Sequence, residues 1–127
     1  MVTNLRDADQ VGEPGARAAL GFVRAVAVLA SDAEVQVAWL SRVFAEGGAV
    51  VDELALEFDQ GYRSLSTFVL YTWIDPGAVP ALTELDRQLD EMSGDHNRAL
   101  WTAEALVTRP EWDRVRFLAR AALILLP

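Results

Sequence analysis

The most regular run of apolar positions in the chain is Val79, Leu82, Leu85, Leu89 and Met92, with Glu84, Asp86, Arg87, Asp90 and Glu91 between them. Steps of three and four residues place the apolar side chains on one face of a helix and the charges on the other. Asp75-Pro76 supplies an N-cap carboxylate and a first-turn proline ahead of this helix, and Ser93-Gly94 closes it. The preceding segment repeats the pattern: Val51, Leu54, Phe58, Tyr62 and Leu65 are apolar, separated by Asp52, Glu53, Glu57, Asp59 and Gln60. Its continuation through Phe68, Val69, Leu70, Tyr71, Thr72, Trp73 and Ile74 is β-branched and aromatic, a composition that suits a short buried strand as well as a buried helix. Over residues 66–74 both forms stay open, and helix is the preferred reading.

Nearer the N-terminus, Pro14 suits a first helical turn, and the sequence onward to Ala30 is apolar nearly all round, which predicts a largely buried helix. Ser31-Asp-Ala-Glu34 has capping-box spacing and predicts a second helix start. Val35, Trp39, Val43 and Phe44 then form its apolar side, up to a stop at Gly47-Gly48. After a short helical turn from Trp101 to Val107, the capping-box spacing recurs at Thr108-Arg-Pro-Glu111. The last helix is expected to bury Trp112, Val115, Leu118, Ala119, Ala122 and Leu125 and to end at Pro127. Residues 1–13 are polar and close in Gly-Glu-Pro-Gly, which reads as a flexible N-terminal arm. The fold expected is all-α: a single-domain bundle of about five helices with short loops over residues 14–127.

Composition narrows the chemistry. A chain of 127 residues with 52% hydrophobic and 24% charged residues can bury one core without a cofactor. With no cysteine and one histidine, His96, a disulfide, a thiolate site and a histidine-rich metal site are excluded. Arg17 and Arg24 interrupt the first apolar run, and acids stand where a secretion signal would be basic. No run reaches the roughly 18 apolar residues of a membrane span. The expectation is a cytoplasmic protein with no membrane partner.

All eleven basic residues are Arg, and the formal charge of −8 is unevenly spread. Residues 46–95 carry two Arg against eleven acids, whereas residues 96–127 carry five Arg against three. A field of that sign repels phosphate backbones, so nucleic acid is not the expected partner, although Arg109, Arg114, Arg116 and Arg120 share the last helix. A basic protein is the natural complement.

Glu53 with Glu57, and Asp86 with Asp90, are acidic pairs one helical turn apart, and each pair projects from one face. Solvated helix faces account for them most simply. Sharing a divalent cation is the alternative, but no Glu-x-x-His motif accompanies them. His96 beside Asp95 lacks a nucleophile, and no serine stands in a Gly-x-Ser-x-Gly elbow, so no catalytic residue is assigned. Gly47-Gly48 and Asp75-Pro-Gly77 lack the Gly-Lys-Ser/Thr ending of a phosphate loop. Tyr71 and Trp73, which end an apolar run beside the acidic segment, are the best candidates for apolar anchors at an interface.

Leu82-Thr-Glu-Leu-Asp-Arg-Gln-Leu-Asp-Glu-Met-Ser-Gly94, Leu100-Trp-Thr-Ala-Glu-Ala-Leu106 and Pro110-Glu-Trp-Asp-Arg-Val-Arg116 resemble small uncharacterised bacterial helical proteins. Some of these are similar to immunity proteins of toxin systems. The resemblance spans about the C-terminal third and carries no catalytic signature. It implies a non-enzymatic inhibitor of a toxin domain, and the excess of acids over residues 46–95 is what makes a basic toxin the expected partner. The residues read as the partner-binding set are Asp52, Glu53, Glu57, Asp59, Tyr71, Trp73, Glu84, Asp86, Asp90 and Glu91. Two other readings stay open: a small helical enzyme or small-molecule binder with carboxylates around a divalent metal, and a structural homodimer built on the apolar first and last helices.

Overall fold

The computed structural model describes residues 2–43 and 51–126, with side chains described over 13–42 and 51–126. Every regular element among them is helical and none is a strand. The order is α1 (Val2–Ala30), α2 (Ala33–Val43), α3 (Asp52–Tyr62), α4 (Leu65–Leu70), α5 (Val79–Glu91), α6 (Ala103–Thr108) and α7 (Pro110–Ile124). Short 3₁₀ turns cover Pro76–Ala78 and Asp95–Leu100. Phe44, Val50 and the expected stop at Gly47-Gly48 lie outside the described residues.

Four of these helices pack in the cyclic order α1, α3, α5, α7, each against its two neighbours, so the α3/α5 face lies opposite the α1/α7 face. Phe22 of α1 sits at the centre, its ring centroid 5.3 Å from that of Phe58 and 6.0 Å from that of Phe68. Gly61 allows this approach, because a Cβ there would lie 2.6 Å from the Phe22 Cβ. Trp112 is fully buried and meets Trp101 edge to face at 5.2 Å. Their indole N–H groups donate to the carbonyls of Leu100 and Met92 respectively, each at 2.7 Å, so two large apolar rings enter the core without an orphaned donor. The Val79–Met92 stripe is realised as read, with Leu82, Leu85, Leu89 and Met92 all buried.

Several local expectations are corrected. The first helix starts at Val2, not at Pro14, so the segment expected as an arm is helical from residue 2 and Pro14 lies inside the helix. Proline fixes φ at a helical value and removes one hydrogen bond of the ladder, which interrupts the bonding without forbidding helix on either side. Neither capping-box serine or threonine starts the helix assigned to it. Ser31 Oγ donates to the Ala27 carbonyl and Thr108 Oγ1 to the Glu104 carbonyl, each at 2.8 Å, so both close the preceding helix. The hydroxyl that does cap a helix start is Thr102, which accepts from the Ala105 N–H at 3.0 Å. In α2 the buried face is turned by one residue from the expected one, since Val35 is exposed whereas Gln36 and Leu40 are buried. Residues 66–74 are helical only as far as Leu70. They then turn through Thr72 at φ +60°, and the Phe68 carbonyl accepts from the N–H groups of both Trp73 and Ile74. At the C-terminus Leu125 is half exposed, not buried.

The buried Gln36 belongs to a polar cluster that joins four helices. Its Nε2 donates to the carbonyls of Val28 and Leu29 at 3.0 and 3.1 Å, near the end of α1. Its Oε1 accepts from Arg116 Nη1 of α7 at 2.8 Å. Arg116 also donates to the Leu106 carbonyl of α6 at 3.1 Å and to Asp113 at 2.9 Å. One turn on, Arg120 donates to the Ala30 carbonyl at 2.7 Å and to Asp32 at 2.8 Å. Truncating Arg116 leaves a buried amide oxygen and a buried carbonyl without donors. Arg116→Ala is therefore expected to lower stability by about 2–4 kcal/mol in urea unfolding, and Arg120→Ala, at a more exposed site, by about 1 kcal/mol.

Candidate functional site

Helices α3 and α5 run antiparallel. Tyr62 OH meets Thr83 Oγ1 at 3.2 Å near one end, and Asp52 shares a groove with Ser93 at the other. Between them lies a narrow cleft of about 170 Å³, floored by Ala55, Leu56, Phe58 and Leu89 and walled by Asp59, Asp86 and Asp90. Ala55, Leu56 and Ser93 are shared with a wider cavity of about 470 Å³, which adds Asp52, Asp95, Arg98 and Trp101. The two form one channel with an apolar floor and five aspartates along it. Leu56 is 48% exposed in its middle.

The helical phase explains this convergence. Asp52, Leu56 and Asp59 follow one another at steps of four and three along α3, and Asp86 and Asp90 are one turn apart on α5. Asp59 is paired with Arg63 at 2.8 Å, and Asp95 lies 3.8 Å from Arg98. Asp52 and Asp90 form no ion pair among the described residues. Burial between the helices pushes the Asp86 carboxyl above its ordinary pKa, and the charges of Asp59 and Asp90 push it the same way.

The ten residues singled out in the sequence do not all meet. Asp52, Asp59, Asp86 and Asp90 share the channel. Glu57 lines a different cavity, about 220 Å³ between α1, α2 and α3, together with Arg24 and Trp39, and Glu53 precedes it by one turn on α3. Glu84 accepts a hydrogen bond from Arg87, which holds its carboxyl below the usual range, and Arg114 adds to that effect. Glu91 acts on Arg87 from the same flank of α5. Tyr71 and Trp73 stack on each other at 4.9 Å, and Trp73 covers Gly15 of α1 and lines a pocket with Leu125 and Leu126. Asp95, weighed in the sequence only as a neighbour of His96, and Arg98 and Leu56, which the sequence reading passed over, belong to the channel. The signal for Leu56 was an apolar residue placed among acids on the polar face of α3.

The last helix places its arginines inward or beside acids. Arg116 and Arg120 hold α1 and α2, Arg109 pairs with Glu111 at 3.4 Å, and Arg114 lies 5.9 Å from the centre of the Phe117 ring. Among the described residues no group of three His, Asp or Glu side chains is close enough to hold a metal ion. No helix there is long and apolar enough to cross a membrane. His96 is exposed, with Asn97 Nδ2 3.2 Å from its Nε2. Comparison with protein families, with curated proteins and with solved structures finds no match.

The raised Asp86 pKa has a defined linkage. The folded molecule holds this proton more tightly than the unfolded chain, so the group favours folding as pH falls below its raised folded pKa and opposes it above. Glu84 and Glu111, held low by Arg87 and Arg109, act in the opposite sense: their contribution is present above the unfolded pKa and is lost as pH falls. Asp86→Asn is therefore expected to raise stability at pH 7 by a few tenths of a kcal/mol, moving the thermal midpoint up by about 1 °C. The gain should vanish at a pH below the unfolded carboxylate range, as thermal melts across pH would show.

Proposed function

We propose that the chain is a non-enzymatic protein-binding module that receives a basic partner along the α3/α5 channel, in the manner of an immunity-type inhibitor of a toxin domain. The observation that carries this reading is the gathering of Asp52, Asp59, Asp86, Asp90 and Asp95 around an exposed leucine in one channel. Like charges so placed repel one another, and the charges of Asp59 and Asp90 add to the burial that raises the Asp86 carboxyl. A cationic partner relieves it, and an apolar side chain of the partner set on Leu56 adds burial at the centre. The field of such a face raises encounter rates up to about 10⁸–10⁹ M⁻¹s⁻¹ at low salt, which suits an inhibitor that must act before its target does. The site of this proposal is narrower than the ten-residue set read from the sequence, because Glu57, Glu84 and Glu91 face other surfaces or lie beside arginines.

Proteins retained on the immobilised chain at low salt identify the candidate partner, and stopped-flow association with that protein tests the mechanism. The triple variant Asp59→Lys, Asp86→Lys and Asp90→Lys is expected to slow association at least tenfold and to flatten its dependence on ionic strength. An association rate that these substitutions leave unchanged would remove the electrostatic reading.

A further inference from the structure

On the opposite side of the molecule from the aspartate channel, α1 and α7 present a face of different character. Arg116 and Arg120 mark the flank of α7 that faces α1, since they reach Gln36 and the Ala30 carbonyl. Phe117 and Ile124 stand three residues before and four after Arg120 on the same outer stripe, 63% and 83% exposed. On α1, Gly21, Arg24 and Val28 turn toward α2 and α3, which leaves Leu20, Val23 and Ala27 on the flank beside α7. Leu20 is 51% exposed there. Among the described residues, the acids that border this face are each paired with an arginine: Glu13 with Arg17, Asp32 with Arg120 and Asp113 with Arg116.

We infer that this face is a self-association surface and that its occupant is a second copy of the chain. Charge selects that occupant. A chain carrying −8 repels its own kind through any surface that includes the aspartate channel, but copies joined through α1 and α7 meet on a locally neutral, apolar strip with their channels directed away from each other. Size agrees. Over residues 13–30, whose side chains are described, α1 runs about 27 Å, and the 15 residues of α7 run about 22 Å, so at ordinary interhelical spacing the face projects on the order of 450 Å² before side-chain relief is counted. That is smaller than the roughly 800 Å² per side of a standard interface and matches a dimer that forms only at high concentration. The inference does not depend on the binding role of the channel.

Sedimentation velocity of the full chain, over a concentration series reaching about 100 μM, is expected to show a species of twice the 13.9 kDa chain mass. Phe117→Asp and Ile124→Asp alter side chains already exposed in the single chain, so the fold tolerates them, as circular dichroism would verify. Each is expected to weaken the dimer at least about tenfold, because a carboxylate would enter an apolar contact. Leu56→Asp, comparably exposed but on the opposite face, should leave the dimer unchanged, and added salt should not dissolve it. A single-chain mass throughout the series overturns the inference. So does a dimer indifferent to Asp at 117 and 124, or one that Leu56→Asp disrupts equally. Failure of the channel to bind a basic protein would leave all three readouts unaffected.

Discussion

A buried guanidinium sets the arrangement of this molecule. Arg116 lies in the core side of α7 and has no acid there to neutralise it fully, since Asp113, its ionic partner, is itself exposed. What makes the burial tolerable is hydrogen bonding: the Gln36 amide and the Leu106 carbonyl take up one end of the fork. Gln36 in turn donates to the carbonyls of Leu29 and of Val28, the latter shared with the Ser31 N–H, at the end of a helix whose last carbonyls have no intrahelical donors. One side chain therefore joins the end of α1 to α7 and specifies how α2 and α6 must lie. An apolar pair of similar volume would fill the space but would not fix the helices at these positions.

That junction also decides which surfaces are left over. With α1 held against α7, the apolar stripes of α3 and α5 close the ring from the other side, and their polar faces turn outward together. The same periodicity that buries Leu54, Phe58, Leu85 and Leu89 thus brings Asp59 and Asp86 within electrostatic reach of each other. Each helix alone is ordinary in its charge pattern. Packing adds burial and the charge of Asp59 to the repulsion that Asp90, one turn along the same helix, already exerts on Asp86.

Local periodicity made the fold class and the longest stripes readable in advance, because the burial of Leu82, Leu85 and Leu89 is a property of one helix. Where a residue serves two elements, the sequence is silent. Ser31 and Thr108 satisfy the spacing of a helix start, but a hydroxyl at such a junction has a free carbonyl behind it as well as a free N–H ahead, and here it takes the carbonyl. Gln36 was invisible for a related reason. Its partners lie seven and eight residues back and eighty residues on, so no local pattern distinguishes it from a surface glutamine, and Val35 beside it looked the better core residue. The acidic set was legible as composition but not as geometry: the eight acids chosen from residues 46–95 counted alike until the helices assigned four of them to one channel.

The disposition of the arginines then carries the functional contrast between the two sides. The chain has eleven cations against nineteen acids, so not every acid can be paired. Arg116 and Arg120 are committed to the α1/α7 junction by backbone carbonyls that only they reach, and in that position they also neutralise Asp113 and Asp32. Arg87 sits on the flank of α5 away from the channel and takes Glu84. What remains near the channel is Arg63 at one end and Arg98 at the other, each beside one aspartate, with Asp86 and Asp90 between them. The charge of the channel is therefore a consequence of where the fold needs its arginines. A mutation that frees a guanidinium from the junction weakens the scaffold while leaving that charge where it is, whereas a neutral residue at Asp86 relieves the repulsion there and weakens the field.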